Sequence, residues 1–259
     1  MKLVSKPLHL NSTQFRDLLE QQGPSLGLWR AAEIAVLSEQ TYEPPVLDLG
    51  CGDGLVTSQV LNRVAMGVDP DGKALHKAWK RGVYAQLQAV PVEKVPLPPE
   101  SVGTILSNSV LEHIPNIGEV LLAANRLLRP GGSLIFTVPT EAFSRWLFLP
   151  FPAYTRRRNR QFQHINLWPL SQWNDCLEQA GFEVELVRPY LRPSLVRLWD
   201  LLELLQEIYI ARERLVKRIW RRMTPETFKR MAAYGAGLDL SAFPPGGGRL
   251  ISAHKAESC

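Results

Sequence analysis

Three glycines alternate with other residues in Gly50-Cys51-Gly52-Asp53-Gly54, directly after the short apolar run Val46-Leu47-Asp48-Leu49. A loop that brings its backbone against a ligand needs residues without a Cβ, because a side chain blocks the approach and disfavours positive-φ turns. A helix starting near Leu55 then directs its free amide groups toward the same ligand. Asp69 ends the next apolar run, Val64 to Val68, and precedes Pro70. Standing beside the first loop, its carboxylate can accept both hydroxyl protons of a ribose. Asp48 places a second carboxylate just before the glycines, where it repels a pyrophosphate but suits a ligand carrying an ammonium group and a sulfonium. Dinucleotide sites use Gly-x-Gly-x-x-Gly; here Leu55 stands where the last glycine would fall. These residues fit S-adenosylmethionine better than NAD.

Positioning this loop requires alternating elements. The pattern predicts helices over Ser12 to Leu19, capped at Asn11, and over Gly27 to Gln40, ended by Pro44-Pro45. It then predicts strands at Val46–Leu49, Val64–Val68, Tyr84–Ala89, Val102–Ser107, Leu134–Val138 and Phe182–Val187. Helices at Leu55–Arg63, Ala74–Arg81, Ile117–Leu128 and Ser171–Ala180 separate them, and Leu250-Ile251-Ser252-Ala253 reads as a returning edge strand. The expected fold class is α/β: a Rossmann-like, doubly wound, seven-stranded, mostly parallel sheet with a helical cap or insertion, binding its ligand beyond the carboxyl ends of the strands. The expected organisation is lead-in helices over 1–45, a core over 46–188 and 249–256, a substrate lid loop over 142–168 and a helical insertion over 189–248.

The sequence resembles the class I S-adenosylmethionine-dependent methyltransferases of the small-molecule type, in particular the quinone-biosynthesis group. The resemblance covers roughly Pro45 to Val138 and rests on four motifs in order. They are the glycine loop, Asp69, Ser107-Asn108-Ser109-Val110-Leu111-Glu112-His113 after the fourth strand, and Leu128-Arg129-Pro130-Gly131-Gly132-Ser133-Leu134 before the fifth. It implies that Asp48, Gly50, Cys51 and Gly52 hold the methionine part of the cofactor, Asp69 and Pro70 the ribose, and the backbone around Asn108 and Ser109 the amino group. Two positions depart from the pattern. Pro91 stands where relatives carry an acid at the end of the third strand, leaving the Val92 backbone or Glu93 to reach the adenine, and Gly103 replaces the acid usual in the fourth strand. The rival readings are a noncatalytic S-adenosylmethionine- or nucleotide-binding module and a nucleic-acid methyltransferase. Against the latter, no Asn/Asp-Pro-Pro-Tyr/Phe motif follows the fourth strand and no RNA-binding module is recognisable.

Methyl transfer from a sulfonium chiefly requires alignment of the nucleophile and exclusion of water. A general base, where needed, belongs on a segment covering the cofactor. The candidates are His164, where the lid meets the next helix, and His113, which alternatively makes a local hydrogen bond. From Ala142 to Asn174 there are five arginines and no acid, interleaved with aromatics. This suits a small-molecule acceptor of anionic or amphiphilic character, or else Arg156 to Arg160 form an exposed charged face. Between Leu195 and Ile210, 11 of 16 residues are apolar, with Asp200, Glu203 and Glu207 arguing against a membrane span. Arg212 to Arg230 reads as a basic amphipathic helix. A cap over the site, a peripheral contact with anionic membrane and a dimer face all fit this insertion.

The chain has 259 residues, 45% apolar and 21% charged, which describes a globular protein with one core and excludes collagen-like, disordered and multi-span membrane classes. A net charge of +5 permits an anionic partner but equally describes a solvated surface, and nucleic acid is not the expected one. Cys51, Cys176 and Cys259 form no metal-ligand spacing, so neither a disulfide framework nor a metal site is expected. With no signal-peptide pattern at the N-terminus, the expected compartment is the cytoplasm, with membrane association left open by the basic insertion.

Overall fold

The computed structural model describes residues 1–3, 6–210 and 213–256. Cys259 and Arg212, weighed above, lie outside them. In chain order the elements are β1 (Lys2–Leu3), α1 (Ser12–Gln22), α2 (Pro24–Leu37), β2 (Val46–Leu49), α3 (Leu55–Val60), β3 (Met66–Val68), α4 (Gly72–Trp79) and β4 (Leu87–Gln88). Then come β5 (Val102–Asn108), α5 (Ile117–Leu127), β6 (Leu128–Pro139), α6 (Pro152–Gln161), α7 (Leu170–Gln179), β7 (Phe182–Tyr190) and α8 (Pro193–Gln206). The chain continues through β8 (Tyr209–Ile210), β9 (Glu213–Arg214), α9 (Leu215–Trp220), α10 (Pro225–Ala236) and β10 (Gly248–Lys255).

Helix α1 starts where the Asn11 side chain accepts the Gln14 amide, and it stops at Gly23. Pro24 at once opens α2, whose residues are buried nearly all round. The sheet has eight strands in the order β1-β7-β10-β6-β5-β2-β3-β4. Pairings made by β10 are antiparallel and the others parallel. Neighbours β2 and β5 lead their chains off in opposite directions, so the crevice at their carboxyl ends is the switch point where such sheets bind ligands.

Several expectations need correction. The seven core strands are joined by an eighth, β1, at the β7 edge. The terminal strand is not an edge: β10 lies between β6 and β7, which fits the complete burial of Leu250, Ile251 and Ala253. Helix α3 ends at Val60 because Leu61 turns to extended backbone. Strand β6 begins at Leu128, six residues early, because its pairing with β5 jumps from Val102↔Leu128 to Thr104↔Ser133 across an irregularity. The Arg129–Gly132 turn is thereby absorbed into the strand. The lid contains a helix, α6, started by Pro152 at its first turn; its polar composition hides it from any apolar periodicity. The basic run is not one helix, since α9 stops at Trp220 and α10 restarts with Thr224 as cap and Pro225 in its first turn.

The departure at Gly103 has a steric cause. A Cβ there would lie 2.4 Å from the Glu43 carbonyl oxygen and 2.8 Å from that of Pro44. No helix among the described residues is long and apolar enough to cross a membrane.

Candidate active site

At the end of β2 the backbone turns through Gly50, Gly52 and Gly54 at φ of 72°, 54° and 71°. The amides of Gly50 and Cys51 both donate to the Val68 carbonyl, while Asp69 Oδ2 accepts the Gly52 amide at 2.9 Å. Asp69 thus holds the loop as well as facing the crevice. Asp48 is buried beneath it, and its Oδ2 accepts the hydroxyls of Thr57 and Tyr84, each at 2.6 Å. Burial pushes this carboxyl up to about 6; the two hydroxyls pull it down and Asp69 adds to the rise. At Gly50 a Cβ would stand 2.4 Å from Val110, so the cradle above the loop exists only because position 50 lacks one.

Two clefts extend from this loop. One, of about 350 Å³, is walled by Asp48, Gly50, Cys51, Gly52, Asp69, Asn108 and Ser109, together with Arg30 from α2. The other, of about 430 Å³ and mostly apolar, continues past Asp69 and Pro70 to Val92 and Glu93. The first suits a zwitterionic amino-acid end, with Arg30 as its basic member facing the carboxylates of Asp48, Asp53 and Asp69. The second suits a flat base beside the ribose acceptor Asp69. The structure thus brings together every residue expected to hold the cofactor, and the chemistry of the donor set fits S-adenosylmethionine.

Arg30 and Glu33 are absent from the sequence reading. Glu33 is fully buried and accepts hydrogen bonds from Trp29 Nε1, Arg30, Asn108 Nδ2 and the Ser109 hydroxyl, tying α2 to the end of β5. Burial works against the Arg30 charge, but Glu33 more than offsets it and Arg30 titrates above its ordinary range. The signal was present: these are the only two charges in the fourteen residues of α2. A charge inside an otherwise apolar helix calls for a partner.

Ser109 adopts φ of 51° and lines both clefts and a third cavity of about 170 Å³. The walls of this cavity are mainly aromatic, from Trp29, Phe143, Phe162 and Trp199, with Arg30, Glu112, His113 and His164 as its polar members. Two links bring the lid here. The backbone amides of Ile165 and Asn166 donate to the Glu112 carbonyl, and the buried Asn166 side chain donates to the carbonyls of Leu111 and Ile114. His164 therefore sits against His113, with ring centroids 5.6 Å apart. Burial holds His164 down to about 4 and raises Glu112 to about 8.

None of the five lid arginines is among the residues lining this cavity. Arg158 is buried rather than exposed: its Nε meets Asp200 at 3.0 Å and its Nη1 meets Glu207 at 2.7 Å, clamping α6 to α8. Helix α8 packs on α2 and delivers Trp199, while Trp220 of α9 donates to the Leu19 carbonyl.

Fold and site together define the class I S-adenosylmethionine-dependent methyltransferase architecture. A family model described as "Methyltransferase domain" matches residues 26–187, and the chain belongs to that family. It is 30% identical over 145 residues to a "Probable S-adenosylmethionine-dependent methyltransferase" of Mycolicibacterium smegmatis, covering 54% of this chain and 52% of that one. It is 26% identical over 113 residues to a ubiquinone biosynthesis O-methyltransferase of Colwellia psychrerythraea, covering 41% and 46%. These matches span about half the length of the curated relatives. Among solved structures, the chain shares its fold with a methyltransferase of Thermotoga maritima described as a possible histamine N-methyltransferase. The TM-score is 0.59 at 18% identity, covering 93% of this chain and 99% of that one.

Proposed function

We propose that this protein transfers a methyl group from S-adenosylmethionine to a small acceptor with a flat apolar body and a nucleophilic hydroxyl. The observation that carries this reading is the meeting of three cavities at Ser109, two shaped for the cofactor and one, aromatic and small, opening beside them. The bound cofactor supplies a sulfonium methyl already activated toward displacement. The residues of the chain then have positional work. Arg30 receives the carboxylate of the amino-acid end and Asp48 its ammonium group, Asp69 the ribose hydroxyls, and Val92 with Glu93 the edge of the base. Trp29, Phe143, Phe162 and Trp199 hold the acceptor's body and exclude water. His164 and His113, with Glu112, form the polar edge that receives the nucleophilic hydroxyl. None of the lid arginines lines this cavity, where Arg30 is the only arginine or lysine among the described residues, so the apolar body outweighs anionic character in choosing the acceptor. Helix α8 acts as the cap. The basic faces of α9 and α10 lie away from the cavity walls, and membrane contact is no part of this reading.

The test uses labelled S-adenosylmethionine with a panel of small phenols, catechols, aliphatic alcohols and amines. Label in a phenolic or catecholic ether is the expected result, and transfer only to amines or to nucleic acid overturns the acceptor class. Arg30→Ala should weaken cofactor binding by about 1.5–3 kcal/mol, the worth of a charged hydrogen bond. Calorimetric affinity equal to the parent's removes Arg30 from the carboxylate.

A further inference from the structure

The cleft that runs from Asp69 to Glu93 is polar at one end and apolar at the other. At the loop end stand Asp69, which holds the Gly52 amide, and Ser109 and His113, which also line the acceptor cavity. Beyond Pro70 the floor is apolar: Val68, Val92 and Val120 are buried and Ile114 packs against them. Pro70, Pro91 and Glu93 are exposed and form the rim. Pro91 opens the turn that shapes this rim. Its side chain neither donates nor accepts, and its carbonyl is already taken by the Lys94 amide at 3.0 Å.

The exocyclic amino group of adenine, on N6, offers two donors. A site that buries an acceptor against those donors rejects a base without them, because the acceptor is then left unpaired. Among the described residues lining the base end of this cleft, Glu93 is the one acidic side chain, and it is exposed. It makes no side-chain hydrogen bond or ion pair that would fix its carboxylate among the described residues. Water substitutes for such an acceptor at nearly equal energy, so Glu93 confers little discrimination. What remains for the base is an apolar slot for its faces and the Val92 amide, which donates to no backbone carbonyl among the described residues. That amide matches the ring nitrogen N1, an acceptor, and not the amino group.

We infer that the cofactor cleft recognises the purine ring without reading its amino group, and that Pro91 sets this selectivity. The inference rests on the S-adenosylmethionine reading and deepens it: the chain takes a cofactor whose purine lacks the amino group almost as well as the adenine form. An acid at position 91 would supply the missing acceptor beside the buried floor at Val92, and the proline there withholds it. The departure at Pro91 is thus a change in what the site selects, with the slot for the ring kept intact.

The experiment measures calorimetric affinity of the full chain for S-adenosylhomocysteine, for its 6-deamino analogue, in which hydrogen replaces the amino group, and for its 1-deaza analogue, which keeps the amino group and loses N1. The 6-deamino analogue should bind within about fivefold of the parent ligand, less than a charged hydrogen bond is worth. The 1-deaza analogue should lose more than the 6-deamino one. A loss above about fivefold for the 6-deamino analogue, or the reverse order of the two, overturns the inference while leaving the cofactor assignment standing. A chain that binds none of the three overturns the cofactor assignment itself. Pro91→Asp should gain discrimination, favouring S-adenosylhomocysteine over the 6-deamino analogue by about tenfold or more, as a charged acceptor would. Glu93→Gln should leave the ratio of the two affinities unchanged, and a ratio that falls toward one would assign the amino group to Glu93 and overturn the role of Pro91. The comparison on the parent chain decides the inference even where a variant fails to fold.

Discussion

The cofactor clefts and the acceptor cavity share Ser109 but are built by different means. The clefts are shaped largely by backbone: glycines at positive φ, amides tied to the Val68 carbonyl, and a carboxylate at the end of each of two adjacent strands. The acceptor cavity is made of side chains drawn from α2, the segment after β5, the lid and α8. It is held together by long-range contacts such as Asn166 to Leu111 and Arg158 to Asp200. A ligand common to a whole family can be met by local geometry, whereas an acceptor that differs from enzyme to enzyme is met by replaceable side chains on insertions. The two halves should therefore respond separately to mutation.

The largest separation is expected from Asp200→Ala. Asp200 is fully buried and accepts from the Phe148 amide, the Tyr154 hydroxyl and Arg158 Nε. Its removal leaves a buried guanidinium with Glu207 as its remaining acidic partner. Breaking one side of a buried pair costs about 3–5 kcal/mol. Urea unfolding should register a loss near the lower end of that range, because Glu207 and Gln161 still hold Nη1, and acceptor turnover should fall with it. S-adenosylmethionine affinity at 25 °C should stay at the parent's value. An equal fall in cofactor affinity would join the two halves into one cooperative unit.

That separation also explains what the sequence revealed. The residues around Gly50, Asp69 and Ser109 were legible because each occupies a strand end, and a strand end is a local pattern of a few apolar residues and a turn. Arg30, Glu33, Trp29 and Trp199 were not, since their role depends on which helix packs beside which loop. His164 was legible as a candidate because it borders the lid. Its neighbours Glu112 and His113 lie about fifty residues away in sequence, and only the Asn166 clamp brings the pair together. Strand β10 was misplaced for a related reason: an apolar run states that it is buried, not which neighbours bury it.

Gly50→Ala tests the other half. The new methyl meets Val110 at 2.4 Å, and the residue must hold φ of 72°. Left-handed strain of roughly 1–2 kcal/mol and overpacking of about 1–3 kcal/mol combine to an expected loss of about 2–5 kcal/mol, divided between stability and cofactor affinity. Adding Val110→Ala removes the two shortest contacts, leaving only the Cβ of residue 110 at 3.1 Å, but it does not remove the strain. The double variant should therefore recover about half of the loss by calorimetry. Failure to recover any would mean that conformation, not the approach of Val110, sets the requirement for glycine.

The smallest effect is a pH dependence written into Asp48. Burial raises its carboxyl from 3.8 to about 6, so the folded state holds this proton more tightly than the unfolded chain does. The associated stability is fully present below the unfolded value and is lost as pH rises through about 6, an effect of up to about 3 kcal/mol. Both hydroxyl donors reach the same oxygen, Oδ2, so in Asp48→Asn an amide oxygen placed there accepts both without any charge to desolvate. Relative to the parent, the variant should show a flatter fall in stability between pH 4 and 6 and should be the more stable protein above pH 7. Its S-adenosylmethionine affinity should nevertheless be lower, because the ammonium group has lost its carboxylate. Parallel stability curves for variant and parent would mean that Asp48 ionises in the apo fold without cost, and the floor of the cofactor cleft would then be as wet as its rim.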